Sequence, residues 1–218
     1  MKIDDEITLV LSGGMGFDLT DPFDCNVFAL RLENQWVMFD AGAGRDPARS
    51  LKACAATGVT PAHVFLTHAH ADHSGAVHLF REEFGSEVWA GEATATLVEE
   101  GDEAAIGLDR ARAAGVYPAD YRFNACRVDH RLANDQTITI GGAKITLNHT
   151  PGHSFDHVSY VVETTTRRIL ISGDALFHGG HVAIQDIHDC NIGDVCASVR
   201  KLANLPDIDV FLPGHLAF

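Results

Sequence analysis

Six consecutive residues, His68-Ala69-His70-Ala71-Asp72-His73, carry four side chains able to bind a metal ion. They closely follow Val64-Phe65-Leu66, an apolar run that reads as a buried strand. Adjacent Asp72 and His73 cannot aim at the point that His68 and His70 approach, because neighbouring side chains diverge from the backbone. The pattern therefore predicts two metal positions side by side, one facing His68 and His70, the other facing Asp72 and His73. A histidine-rich surface turn is the bland alternative. The strand before the motif and the helix start after it argue against that alternative.

The rest of the chain reads as strands and helices that could present such a motif. Strands are predicted at Ile7 to Ser12, Val27 to Leu30, Trp36 to Phe39, Val64 to Leu66 and Val88 to Ala90. Pro47 opens a helix that runs to about Thr57 and stops at Gly58, and a second helix spans Ser74 to Phe84. Glu92 to Ala114 is rich in Ala and Glu with little apolar periodicity, which predicts one or two helices lying as a surface excursion. In the second half, Gln136 to Ile140 and Ala143 to Leu147 flank Gly141-Gly142, a hairpin signal. Val158 to Val162, Arg168 to Ile171 and Val210 to Leu212 are further strands, with a helix from Ile192 to Leu202. The order predicts two sheets packed face to face with helices outside, in one domain spanning residues 1–218.

Charge and cysteine content narrow the function classes. The net charge of −14 repels phosphate backbones and anionic lipid heads, so neither nucleic acid nor membrane is an expected partner. No stretch reaches the ~20 apolar residues of a membrane helix, and no basic segment leads into an apolar run at the start. Five scattered cysteines without a CxxC pair fit reduced thiols in a cytoplasm, and none has a neighbour in sequence that would activate it as a nucleophile.

A two-metal site needs about seven or eight ligands, and three later segments offer them. His153 lies in Thr150-Pro151-Gly152-His153, Asp174 in Ser172-Gly173-Asp174, and His215 in Leu212-Pro213-Gly214-His215. Each follows an apolar strand and a glycine that permits a sharp turn out of the sheet.

This set resembles the metallo-β-lactamase superfamily, and the resemblance runs from the strands before Asp40 to His215. It implies an α/β fold, an αββα sandwich of two mixed sheets flanked by helices, with the site at one edge. It further implies that His68, His70 and His153 bind one metal, that Asp72, His73 and His215 bind a second, and that Asp174 bridges. Asp40 matches the acidic residue that supports a ligand histidine in that family, although an ordinary turn role fits its spacing almost as well. Two dications ~3.5–4 Å apart would supply a hydroxide at neutral pH, with Asp72 as the catalytic carboxylate that orients it. Nitrogen and oxygen ligands suit zinc, the expected metal, and also iron, manganese or cobalt.

The expected reaction is hydrolysis of a small-molecule ester, thioester or lactone. The branches of the family are told apart by marks that are mostly absent here. The chain stops three residues after His215, so the glutathione-binding helices of glyoxalase II are not expected. Phe177 stands where acyl-homoserine lactonases place a tyrosine. Persulfide dioxygenases resemble the chain in the first motif but use a single iron; that alternative would use His68, His153 and Asp174 as a facial triad. His149 and His157 are expected to support the site rather than ligate. His178, His181 and His188 are candidates to meet substrate. Phe17, Phe23 and Phe177 are candidates to line a pocket, with core packing favoured for each. The pocket edge is expected to be open or covered by a second subunit of a homodimer.

Overall fold

The computed structural model describes residues 1–218. Strand β1 (Ile7–Leu11) pairs antiparallel with β2 (Val27–Leu32), which turns through Glu33-Asn34 into β3 (Gln35–Phe39). Helix α1 (Pro47–Thr57) then crosses back so that β4 (Pro61–Leu66) lies parallel to β3. Its ends follow the sequence signals: the Asp46 side chain accepts from the Arg49 N–H, Pro47 occupies the first turn, and Gly58 closes the helix at φ 69°. Helices α2 (Ala71–Ser74) and α3 (Val77–Phe84) return the chain to β5 (Glu87–Gly91). Helices α4 (Glu92–Glu100) and α5 (Leu108–Ala113) lead to a short sixth strand, β6 (His130–Leu132), parallel to β5. These six strands form the first sheet in chain order.

The second sheet has the order β11-β10-β9-β8-β7. Strands β7 (Thr137–Ile140) and β8 (Ala143–His149) form the hairpin predicted around Gly141-Gly142. Both glycines have positive φ, 50° and 71°, as a tight hairpin turn between twisted strands requires. Strands β9 (Val158–Glu163) and β10 (Arg168–Gly173) continue antiparallel. Helix α6 (Ile192–Ala203) then crosses over to β11 (Val210–Pro213), which runs parallel to β10.

Alternation along the strands assigns each face. On β2, Phe28, Leu30 and Leu32 pack between the sheets, whereas Val27 and Ala29 face the helices. On β4, Phe65 points between the sheets and Val64 and Leu66 point to the helices. Opposite them, Tyr160, Val162, Ile169 and Ile171 complete the inner layer, while Val161 and Leu170 pack with Leu202 of α6. The result is the predicted α/β sandwich of two mixed sheets with helices outside.

Two expectations are corrected. The helix expected from Ser74 to Phe84 is two helices, with a break at Gly75-Ala76. The segment Glu92 to Ala114 is not a surface excursion: Thr94, Ala95, Leu97 and Val98 of α4 are buried, and Ile106 and Leu108 join the same core. These positions do recur at helical spacing, but small Ala and Thr side chains hide the period. Strand β6 went unpredicted because His130-Arg131-Leu132 has no apolar run; its backbone pairing with β5 defines it.

Candidate metal centre

Every predicted ligand leaves the end of a strand at one edge of the sandwich. β4 delivers His68, His70, Asp72 and His73; β8 leads to His153; Asp174 follows β10; and His215 follows β11. The glycines before the last three have distinct roles. Gly152 and Gly173 have φ of 134° and 52°, outside the usual range of other residues. Gly214 is required for space instead, because a Cβ there would lie 2.2 Å from Asp174 Oδ1 and 2.7 Å from His73 Cε1.

The seven side chains converge as two clusters. Ligand atoms of His68, His70 and His153 lie within 4.8 Å of one another, as do those of Asp72, His73 and His215. In the first, Nε2 of His153 stands 3.1 Å from Nδ1 of His70. In the second, Nε2 of His215 stands 3.3 Å from Nε2 of His73 and 3.1 Å from Asp72 Oδ2. Asp174 lies between them: Oδ2 is 3.5 Å from Nε2 of both His153 and His215, and Oδ1 is 3.4 Å from Nε2 of His73. These separations match the edge of a coordination tetrahedron, roughly 3.3 Å for bonds of about 2.0–2.1 Å.

Residues behind the clusters set which nitrogen His68, His70 and His73 turn inward. Nδ1 of His73 donates to Asp40 Oδ2 at 2.8 Å, which leaves Nε2 facing Asp72, His215 and Asp174. The Thr67 hydroxyl donates to the Asp40 carboxylate at 2.9 Å and so accepts from Nδ1 of His68 at 3.0 Å. Nε2 of His68 is thereby turned inward, buried and without a hydrogen-bond partner, as is Asp174 Oδ1. Asp189 Oδ2 lies 3.1 Å from Nε2 of His70, leaving Nδ1 for the first cluster. His157 meets Thr150 through Nδ1 at 3.0 Å and accepts the Asp174 N–H at 2.9 Å through Nε2. Asp156 accepts the Ala69 N–H at 2.9 Å, tying the His153 loop to the first motif. Convergent lone pairs, two of them orphaned and buried, are what a pair of cations would satisfy.

Charge is correspondingly uneven. Burial, reinforced by the surrounding imidazoles, pulls His68 well below the ordinary histidine value, and burial takes His153 down to about 4. Burial also opposes a charge on His73, but the Asp174, Asp40 and Asp72 carboxylates outweigh it and hold the imidazole well above that value. Asp174 is held well below the carboxylate range because His215, His73 and His153 outweigh its burial.

A cavity of about 870 Å³ opens over both clusters, reached by His70, Asp72, His153, Asp174 and His215. Its walls are mainly apolar and include Phe23, Ile106, Val116, Phe177 and Ile187. Phe23 and Phe177 therefore line a pocket, where core packing had been favoured, whereas Phe17 packs on Phe218 with ring centroids 5.2 Å apart. His181 and His188 reach the cavity and His178 does not. His149 is exposed, away from the ligands. Burial pushes the Cys25 thiol up to about 12, so its proximity to Asp40 and His73 does not make it a nucleophile.

Thr67, Asp156, Asp189 and Tyr117 were not singled out from the sequence. Thr67 adjoins His68 and Asp156 lies three residues after His153, so both were within reach of such a reading; nothing local marks Asp189. Tyr117 lines the cavity, and burial followed by the nearby Asp72 carboxylate raises its phenol well above the ordinary tyrosine value.

The chain belongs to the metallo-β-lactamase superfamily, whose model matches residues 20–215. It is 31% identical to the probable metallo-hydrolase YqgX of Bacillus subtilis, over 89% of this chain and 86% of that one. It is 29% identical to the acyl-coenzyme A thioesterase MBLAC2 of Gallus gallus, over 87% of this chain and 72% of the relative. Among solved structures, TTHA1623 in a di-iron-bound form is 28% identical, with a TM-score of 0.69 over 91% of each chain. No helix is long and apolar enough to cross a membrane.

Proposed function

We propose that this chain is a dinuclear metal-dependent hydrolase of a small-molecule acyl ester, with thioesters the first candidates and lactones a close variant. The observation that carries the reading is the position of Asp174, within 3.5 Å of a ligand nitrogen in each cluster. His68, His70 and His153 would hold one dication, Asp72, His73 and His215 the second, and Asp174 would touch both. Such a pair lowers the pKa of a shared water towards neutrality and polarises a carbonyl. Zinc suits these nitrogen and oxygen donors, and iron, found in the solved relative, suits them too.

The protein's own groups supply the rest. Asp72 is the ligand carboxylate with the most solvent access, its side chain 22% exposed against 6% for Asp174. It is therefore placed to orient the attacking water and to accept its proton. The apolar walls exclude water from the acyl portion, and Arg110, an exposed residue at the cavity, offers one cation for an anionic leaving portion. The thioesterase relative supports this substrate class.

The test is a screen of zinc-loaded protein against acyl thioesters, lactones, β-lactams and phosphodiesters. The reading predicts the highest kcat/KM on a thioester or lactone. Hydrolysis confined to phosphodiesters would contradict it, as would one bound iron with oxygen uptake on a persulfide.

A further inference from the structure

Three tyrosines occur in the chain, and two have their hydroxyl committed to the backbone. Tyr121 donates to the Ala43 carbonyl at 2.6 Å and Tyr160 to the Leu66 carbonyl at 2.8 Å. Tyr117 makes no backbone hydrogen bond; its hydroxyl faces the Asp72 carboxylate, to which it can donate until a substrate oxygen takes that place. It carries the only side-chain hydroxyl among the residues lining the cavity, and it stands beside the Asp72 carboxylate. Its ring is held between Phe23, at 5.0 Å and 30° between planes, and Tyr121, at 5.2 Å and 27°. Arg45 lies over the other ring of that stack, 4.5 Å from the centroid of Phe23. A phenol fixed in this way is a donor already oriented before substrate arrives, which is the property that makes such donors effective in catalysis. Phe177, which also lines the cavity and is 5% exposed, supplies no hydroxyl.

We propose that Tyr117 is a catalytic residue whose phenol donates a hydrogen bond to the substrate carbonyl oxygen above the Asp72, His73 and His215 cluster. The bond strengthens as negative charge gathers on that oxygen, and no proton is transferred. This rests on the hydrolase reading above.

Tyr117→Phe tests the proposal because it keeps the aromatic stack and removes only the hydroxyl. The expected result is a roughly 100-fold fall in kcat on an acyl thioester, with KM, metal content and thermal midpoint held. Tyr117→Leu should lose kcat equally and lower the midpoint as well. A Tyr117→Phe kcat within threefold of wild type overturns the proposal. Titration calorimetry with octanoate, a carboxylate product of such a reaction, provides a readout apart from turnover. Tyr117→Phe should weaken its binding at least fivefold. If the wild-type protein hydrolyses no ester or thioester, the hydrolase reading fails separately, and equal octanoate affinity in the two proteins then overturns the role of Tyr117.

Discussion

Oδ2 of Asp40 sits 2.8 Å from Nδ1 of His73, and the same carboxylate accepts the Thr67 hydroxyl that meets His68. One buried acid therefore sets the inward nitrogen of a ligand in each cluster. Asp40 holds this position with φ of 62°, a left-handed conformation that is uncommon for residues other than glycine and costs of order 1 kcal/mol or more. The turn out of β3 aims the carboxylate at both partners.

Asp40→Asn should weaken metal binding at both clusters by roughly 10- to 100-fold. An amide has one acceptor oxygen and cannot replace a carboxylate that receives the Thr67 N–H, the Thr67 hydroxyl and the His73 N–H. Competition with a chromophoric chelator measures the affinity. Unchanged affinity would contradict the role assigned to Asp40, whereas Thr67→Val should affect only the cluster that contains His68.

Metal uptake should release protons. In the metal-free protein His73 is held well above the ordinary histidine value, since the surrounding anionic groups outweigh its burial. That shift favours a second proton on the nitrogen that the metal needs. Metal and proton compete for that atom, so affinity should rise as pH rises from 6 to 8 and fall in the other direction. Calorimetry in two buffers of different ionisation enthalpy should show at least one proton released per chain at pH 7. A value of zero would contradict the charge arrangement described.

Phe177→Tyr should raise lactone hydrolysis several-fold and leave thioester hydrolysis nearly unchanged. Phe177 lines the cavity with its ring centroid 6.3 Å from that of His215, so a hydroxyl there would add a donor near the clusters. Parallel kcat/KM measurements on the two substrate types decide it. An unchanged lactone rate would remove lactones from the substrate class.

The seven convergent side chains stand out in the sequence because their chemistry is local: each is a His or Asp in a short motif at the end of an apolar strand. The sandwich was legible for a similar reason, since alternation on β2, β4 and β9 records which side chains face between the sheets. The cavity walls were not. Val116 and Tyr117 lie in a stretch whose neighbours are small or polar, and the 178–191 segment has no periodicity to place it. Asp189 reaches His70 across 119 residues, a contact defined only by the folded path of the chain. Tyr117 likewise gains its significance from Phe23, Tyr121 and Asp72, none adjacent to it. Support for the ligands comes from distant segments, and single-chain patterns do not carry that information.

The central claim is that seven side chains hold two cations with Asp174 between them. Anomalous diffraction at the metal absorption edge, combined with elemental analysis, tests it most directly. Wild-type protein should show two peaks ~3.5–4 Å apart and about two metal equivalents per chain, and Asp174→Asn should lose occupancy at both. One peak bound by His68, His153 and Asp174, or peaks remote from these residues, would contradict the account.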